Sequence, residues 1–79
     1  MTALDAFVNL IANPEMYDWF NRVVNANAEG LTGQKPQKWE ITEVKFSENA
    51  MYVDVVAQLF YTSKNILINI NVGQNLDKS

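Results

Sequence analysis

The side chains able to move protons in this 79-residue chain are mainly nine carboxylates and three tyrosines, and it contains neither His nor Cys. The commonest general base and the strongest side-chain nucleophile are therefore both absent. A carboxylate enzyme needs two acids held in one cleft. Glu40 and Glu43 are close in sequence, but three residues apart on a strand they point to opposite faces unless a bulge intervenes. Glu15 and Asp18 stand at i, i+3 near the start of a helix, where the helix dipole alone favours acids. Asp54 lies mid-strand between apolar neighbours and could pair with Tyr52 or Tyr61 as a buried acid. The better-supported reading is a charge that keeps a sticky face from aggregating.

Metal and cofactor chemistry fare no better. Without Cys or His there is no disulfide and no ordinary zinc site. Asp and Asn are plentiful, yet no calcium-loop spacing occurs, and Gly30, Gly33 and Gly73 form neither a P-loop nor a dinucleotide fingerprint. No metal and no cofactor are expected, and the chain reads as non-enzymatic.

Lys35, Lys38, Trp39 and Lys45 gather around one connector, and an aromatic among basic residues can stack a nucleobase. Against that, the chain has six Lys and Arg in total and a net charge of −3, with a pI near 4.6. This acidic balance disfavours attraction to phosphate backbones. A Trp at the head of a strand also serves as a core lid. Nucleic-acid binding through Lys35–Lys45 is thus the runner-up. A small-ligand or carboxylate site between sheet and helices, around Asp54, Tyr17 and Trp19, is a third reading, for which so short a chain leaves little volume.

The elements that position these groups follow from periodicity. Thr2 can cap a first helix whose Leu4, Phe7, Val8 and Ile11 fall on one face. Pro14 stops that helix near Ala12 or Asn13. In "NPE", Asn13 suits an N-cap, Pro14 the first helical position and Glu15 the dipole. The second helix then carries Met16, Trp19, Phe20, Val23, Val24 and Asn27 on its inner stripe and ends at Gly30. "LTGQKPQK" (residues 31–38) is a connector. In "WEITEVKF", Trp39 and Ile41 have the opposite parity to Val44 and Phe46: a bulge at Thr42–Glu43 would turn all four inward, and without one Trp39 and Ile41 face the other side. "SENA" is a hairpin turn, and "TSKN" a second one with Asn65 able to take positive φ. The third strand, "ILININV", sets Ile66, Ile68, Ile70 and Val72 inward against Leu67, Asn69 and Asn71.

The expected fold is α+β: two N-terminal helices packed on one face of a three-stranded antiparallel meander, ordered α-α-β-β-β. One compact domain over residues 1–73 and a frayed tail over 74–79 are expected. The apolar fraction of 48% is ordinary for a globular domain. An acidic residue at position 5 with no early Lys or Arg points away from a signal peptide. No apolar stretch nears the roughly 20 residues of a bilayer span. A soluble, cytoplasmic protein without a membrane partner is expected.

The middle strand, "MYVDVVAQLFYT", poses the functional question. Its odd positions are all apolar, but so are Tyr52, Val56 and Phe60 among its even ones, with Asp54 and Gln58 between them. Two short helices cannot cover both faces of the sheet. Tyr52, Val56, Phe60 and a nearby Leu67 are left on an outer patch of the kind that marks protein interfaces. The expected site is therefore Tyr52, Asp54, Val56, Gln58, Phe60 and Leu67, with Lys35, Lys38 and Trp39 as a secondary contact loop. The expected partner is another protein, either a second copy in a homodimer or a target. The expected role is a small inhibitor or modulator of the phage-accessory or immunity-protein type, docking on a larger macromolecule.

Overall fold

The computed structural model describes residues 2–48 and 51–73. The chain folds in the order α1 (Ala3–Leu10), α2 (Pro14–Thr32), β1 (Lys38–Phe46), β2 (Tyr52–Phe60) and β3 (Asn65–Gly73). The strands form one antiparallel meander with β2 in the centre. Both helices pack on the face carrying the odd residues of β2, giving a two-layer α+β fold.

Local chemistry sets both helix starts. The Asp5 amide donates to the Thr2 hydroxyl at 3.1 Å, and the Thr2 amide donates back to the Asp5 carboxylate at 3.5 Å, closing a capping box. Asn13 Oδ1 accepts from the amides of Glu15 (2.9 Å) and Met16 (3.3 Å), with Pro14 opening the helix behind it. The two helices therefore abut with a single turn between them.

The second helix corrects its expected end. It passes through Gly30 and stops at Gly33, whose φ of 81° lies in the left-handed region. The Gly33 amide donates to the Glu29 carbonyl at 2.8 Å, so Gly33 closes the last turn. Gly30 is a helical position tolerated at modest cost. The connector shrinks to residues 33–37. The buried stripe of α2 is Phe20, Val24 and Ala28. Asn27, expected inside, is exposed and donates its amide to the Val23 carbonyl. On α1 Phe7 is buried, as is Ile11 at its C-cap, but Val8 faces solvent.

The bulge forms where expected. Ile41 pairs with Ala57 and Glu43 with Val56, which leaves Thr42 as the extra residue. Its hydroxyl donates to the Val56 carbonyl at 3.3 Å. Trp39, Ile41, Val44 and Phe46 accordingly lie opposite Leu59, Ala57, Val55 and Val53, on the helix side. Val44 is buried there and Phe46, at the sheet end, stays exposed.

Val53, Val55, Ala57 and Leu59 are essentially inaccessible, and Ile68, Ile70 and Val72 of β3 complete the sheet's share of the core. Phe20 is the hub. Its ring meets Phe7 edge-on at 5.1 Å and Trp39 edge-on at 5.5 Å, so α1, α2 and β1 converge on one side chain. Asn49 and Ala50 of the first turn, and the expected tail over residues 74–79, lie outside the described residues. The Ser47 amide still donates to the Tyr52 carbonyl at 3.0 Å across that hairpin. In the second hairpin Asn65 belongs to β3, opposite Phe60. The turn is Tyr61–Lys64, closed by the Tyr61 amide donating to the Lys64 carbonyl at 2.8 Å.

The two helix glycines give a paired prediction. A Cβ at Gly30 meets nothing within 4 Å and the backbone is helical, so Gly30→Ala should stabilise the protein by roughly 0.5–1 kcal/mol. Gly33→Ala forces a side chain into the left-handed region and should destabilise it by about 1 kcal/mol. Thermal unfolding of both variants checks the pair, and the opposite ordering would put the helix end back at Gly30.

Candidate protein interface

Strand alternation carries the even residues of β2 to the face away from the helices. The antiparallel register then fixes their neighbours. Phe60 lies between Lys38 and Asn65, Gln58 between Glu40 and Leu67, Val56 between Glu43 and Asn69, and Asp54 between Lys45 and Asn71. Tyr52 closes the face opposite Gly73. All six residues singled out from the sequence on β2 and β3, Tyr52, Asp54, Val56, Gln58, Phe60 and Leu67, thus share one outer face. No described element covers it.

The face is less oily than the sequence implies. Tyr52 is 50% and Leu67 64% exposed, whereas Val56 and Phe60 are half-buried by their neighbours. Lys38 lays its ammonium 4.7 Å from the Phe60 ring centroid and reaches the Glu40 carboxylate at 3.5 Å. Asn71 donates its side-chain amide to Asp54 at 2.6 Å. A shallow depression of about 260 Å³ is bordered by Glu43, Lys45, Asp54, Val56 and Asn69. The arrangement is two apolar ends, Tyr52 and the Phe60–Leu67 corner, separated by a polar waist with Val56 at its middle.

The contribution of β1 was missed from the sequence. Its outer residues, Lys38, Glu40, Glu43 and Lys45, form a charged border along one side of the face. The bulge was the signal that could have found them, because turning Val44 and Phe46 inward turns Glu43 and Lys45 outward. It also answers the question of Glu40 and Glu43, which sit on the same face in adjacent cross-strand rows.

The other candidate groupings separate differently. Lys35, Lys38 and Trp39 do border a common depression of about 340 Å³ next to Tyr17 and Asn21. Trp39, however, faces the helices. Its ring stacks on Tyr17 at 5.5 Å and 24°, and its indole N–H donates to Asn21 Oδ1 at 2.7 Å. It acts as a lid on the core beside Phe20. Lys45 lies at the far end of β1 opposite Asp54. Asp54 stands on the opposite side of the sheet from Tyr17 and Trp19, so those three build no shared pocket. Nor does Asp54 meet Tyr61, whose hydroxyl lies 2.9 Å from that of Thr32 and donates to the Gln34 carbonyl at 3.0 Å.

The lid assignment predicts a stability effect. Asn21→Ala removes the acceptor of a partly buried indole N–H and should cost about 1–2 kcal/mol. Urea unfolding of the variant checks it, and a neutral result would mean Trp39 is not held by that bond.

Comparison of the chain with protein-family models, with curated proteins and with solved structures finds no match in any of the three.

Proposed function

We propose that this chain is a non-catalytic protein-interaction module that docks on a larger macromolecule through the outer face of its sheet. An inhibitor or modulator of the phage-accessory or immunity type is the role that suits it, acting in the cytoplasm. Among the described residues no helix is long and apolar enough to cross a membrane. The observation that carries the proposal is the uncovered outer face. A sheet whose second face is only solvated ordinarily alternates apolar and polar residues cleanly. Here Tyr52, Val56, Phe60 and Leu67 break that alternation on the solvent side.

The composition of the face suits a partner surface. Tyr and Phe supply large contact area, and a polar, charged border such as Lys38, Glu40, Glu43 and Lys45 is what surrounds an interface centre. Asp54 and Gln58 keep the apolar ends apart until a partner is seated. The nucleic-acid reading has less support, because the one aromatic in its basic cluster is stacked on Tyr17 and hydrogen-bonded to Asn21.

Val56→Asp combined with Phe60→Asp tests the proposal, since both side chains lie on the outer face and leave the fully buried set untouched. The expected result is retained circular dichroism with at least about 10-fold weaker binding to the partner captured by the wild-type chain from native lysate. Binding should change little with salt, where a phosphate-backbone contact would weaken steeply. Undiminished binding by the folded double variant overturns the proposal.

A further inference from the structure

The two edges of the sheet are not alike. The β1 edge carries four charged residues and the Thr42 bulge, both devices that stop a further strand from adding. The β3 edge, "NILININVG", has nine residues with no charge, no proline and no bulge. It is the kind of edge that accepts another strand.

The backbone phase of β3 is fixed. The Tyr61 amide donates to the Lys64 carbonyl, and the antiparallel register runs on from that pair without interruption to Tyr52 and Gly73. Hydrogen-bonded and non-bonded pairs alternate along such a ladder. Ile66, Ile68, Ile70 and Val72 therefore turn their N–H and C=O groups toward β2. Leu67, Asn69 and Asn71 turn theirs outward, along the edge that no other described strand occupies. The Ser47-to-Tyr52 bond agrees with this phase, because it sends the carbonyls of the even β2 residues toward β1.

We infer that the β3 edge pairs with the β3 edge of a second copy of this chain, giving a two-fold dimer with one continuous six-stranded sheet. The strand is self-complementary about Asn69. An antiparallel pair with its two-fold axis there sets Asn69 against Asn69, Leu67 against Asn71, Ile68 against Ile70 and Ile66 against Val72. Aliphatic side chains then meet only on the helix side, and amides and Leu67 only on the outer side. About ten main-chain hydrogen bonds join the copies, and no charge opposes a like charge although each chain carries −3.

The area of the outer face points the same way, a consideration that rests on the docking role proposed above. Three strands of nine residues span roughly 30 Å by 14 Å, a footprint of about 400 Å². That is about half of what one partner contributes to a standard interface. Two copies edge to edge present about twice the area on one surface.

Asn69 sits on the proposed axis, so a charge placed there faces its own copy. Analytical ultracentrifugation of the full chain, from low micromolar to submillimolar concentration, provides the test. Wild type should sediment near twice the 9.0 kDa chain mass. Asn69→Lys and Asn69→Asp should each be monomeric, and their equimolar mixture should regain the dimer. In the wild-type dimer the amides of Leu67, Asn69 and Asn71 should exchange with solvent slowly, although they point away from β2. A monomeric wild type overturns the inference, as does a dimer that survives both charged variants or a mixture that fails to reassociate. Val56→Asp with Phe60→Asp should leave the dimer intact. If it dissociates the dimer instead, the copies meet through the outer face and the edge assignment fails, while the docking role is judged separately by partner binding.

Discussion

A two-residue period cannot put Trp39, Ile41, Val44 and Phe46 on one side of a strand, and one extra residue can. Thr42 is that residue. Its placement decides the character of both sheet faces at once. On the helix side it completes an apolar row from Trp39 to Phe46. On the other side it lines up Lys38, Glu40, Glu43 and Lys45 beside the even residues of β2. The hydroxyl of Thr42 takes the Val56 carbonyl, so the disrupted ladder keeps a local hydrogen bond where the bulge interrupts it. The outward placement of Glu43 and Lys45, half of the charged border, depends on this one irregularity.

The second constraint is the shortage of helix. Eight residues of α1 and nineteen of α2 cover one face of a nine-residue-deep sheet and no more. They do so through few contacts of high quality. Phe20 is fully buried and touches Phe7, Trp19 and Trp39, so the bent helical pair and the first strand are joined at one ring. At the other end, Thr32 accepts from the Gln34 amide and its hydroxyl lies within hydrogen-bonding distance of the Tyr61 hydroxyl. That ties the C-terminus of α2 to the β2–β3 turn. Both ends of α2 are thus tied to the sheet, on the face that carries the core.

Most of the fold was legible in the sequence because its signals are local. Thr2, Asn13 and Pro14 act through backbone groups two or three residues away, and the strand alternation and the bulge can be read from parity. The failures share a different cause. Gly30 and Gly33 are equally good helix stops on paper, and only the packing of Ala28 and the last turn of α2 decides between them. Asn27 and Ala28 compete for one place on the inner stripe, and the direction of the helix over the sheet selects the smaller, apolar one. Parity alone places Tyr52, Asp54, Val56, Gln58, Phe60 and Leu67 together on the outer face. What parity could not supply was cross-strand detail: the Lys38 ammonium over Phe60 and the Asn71 amide on Asp54 depend on register, which follows from turn lengths and the bulge together. Trp39 was ambiguous for the same reason, since its parity gives a face but not the Tyr17 ring and Asn21 amide waiting there.

Faces and edges of a sheet bind by different physics, and this chain separates the two. A face binds through side chains, so its specificity is set by which residues project from it, here Tyr52, Val56, Phe60 and Leu67 among charges. An edge binds through the main chain and is indifferent to sequence unless side chains obstruct it. The obstruction is present on β1, as charge and bulge, and missing on β3. If both edges were open, antiparallel addition at each would propagate into an unlimited sheet. Under the edge pairing inferred above, one guarded and one open edge would stop addition at two copies. The asymmetry between "KWEITEVKF" and "NILININVG" is therefore the feature on which the inferred pairing depends: a charged, bulged edge disfavours a further strand, and an uncharged regular one does not.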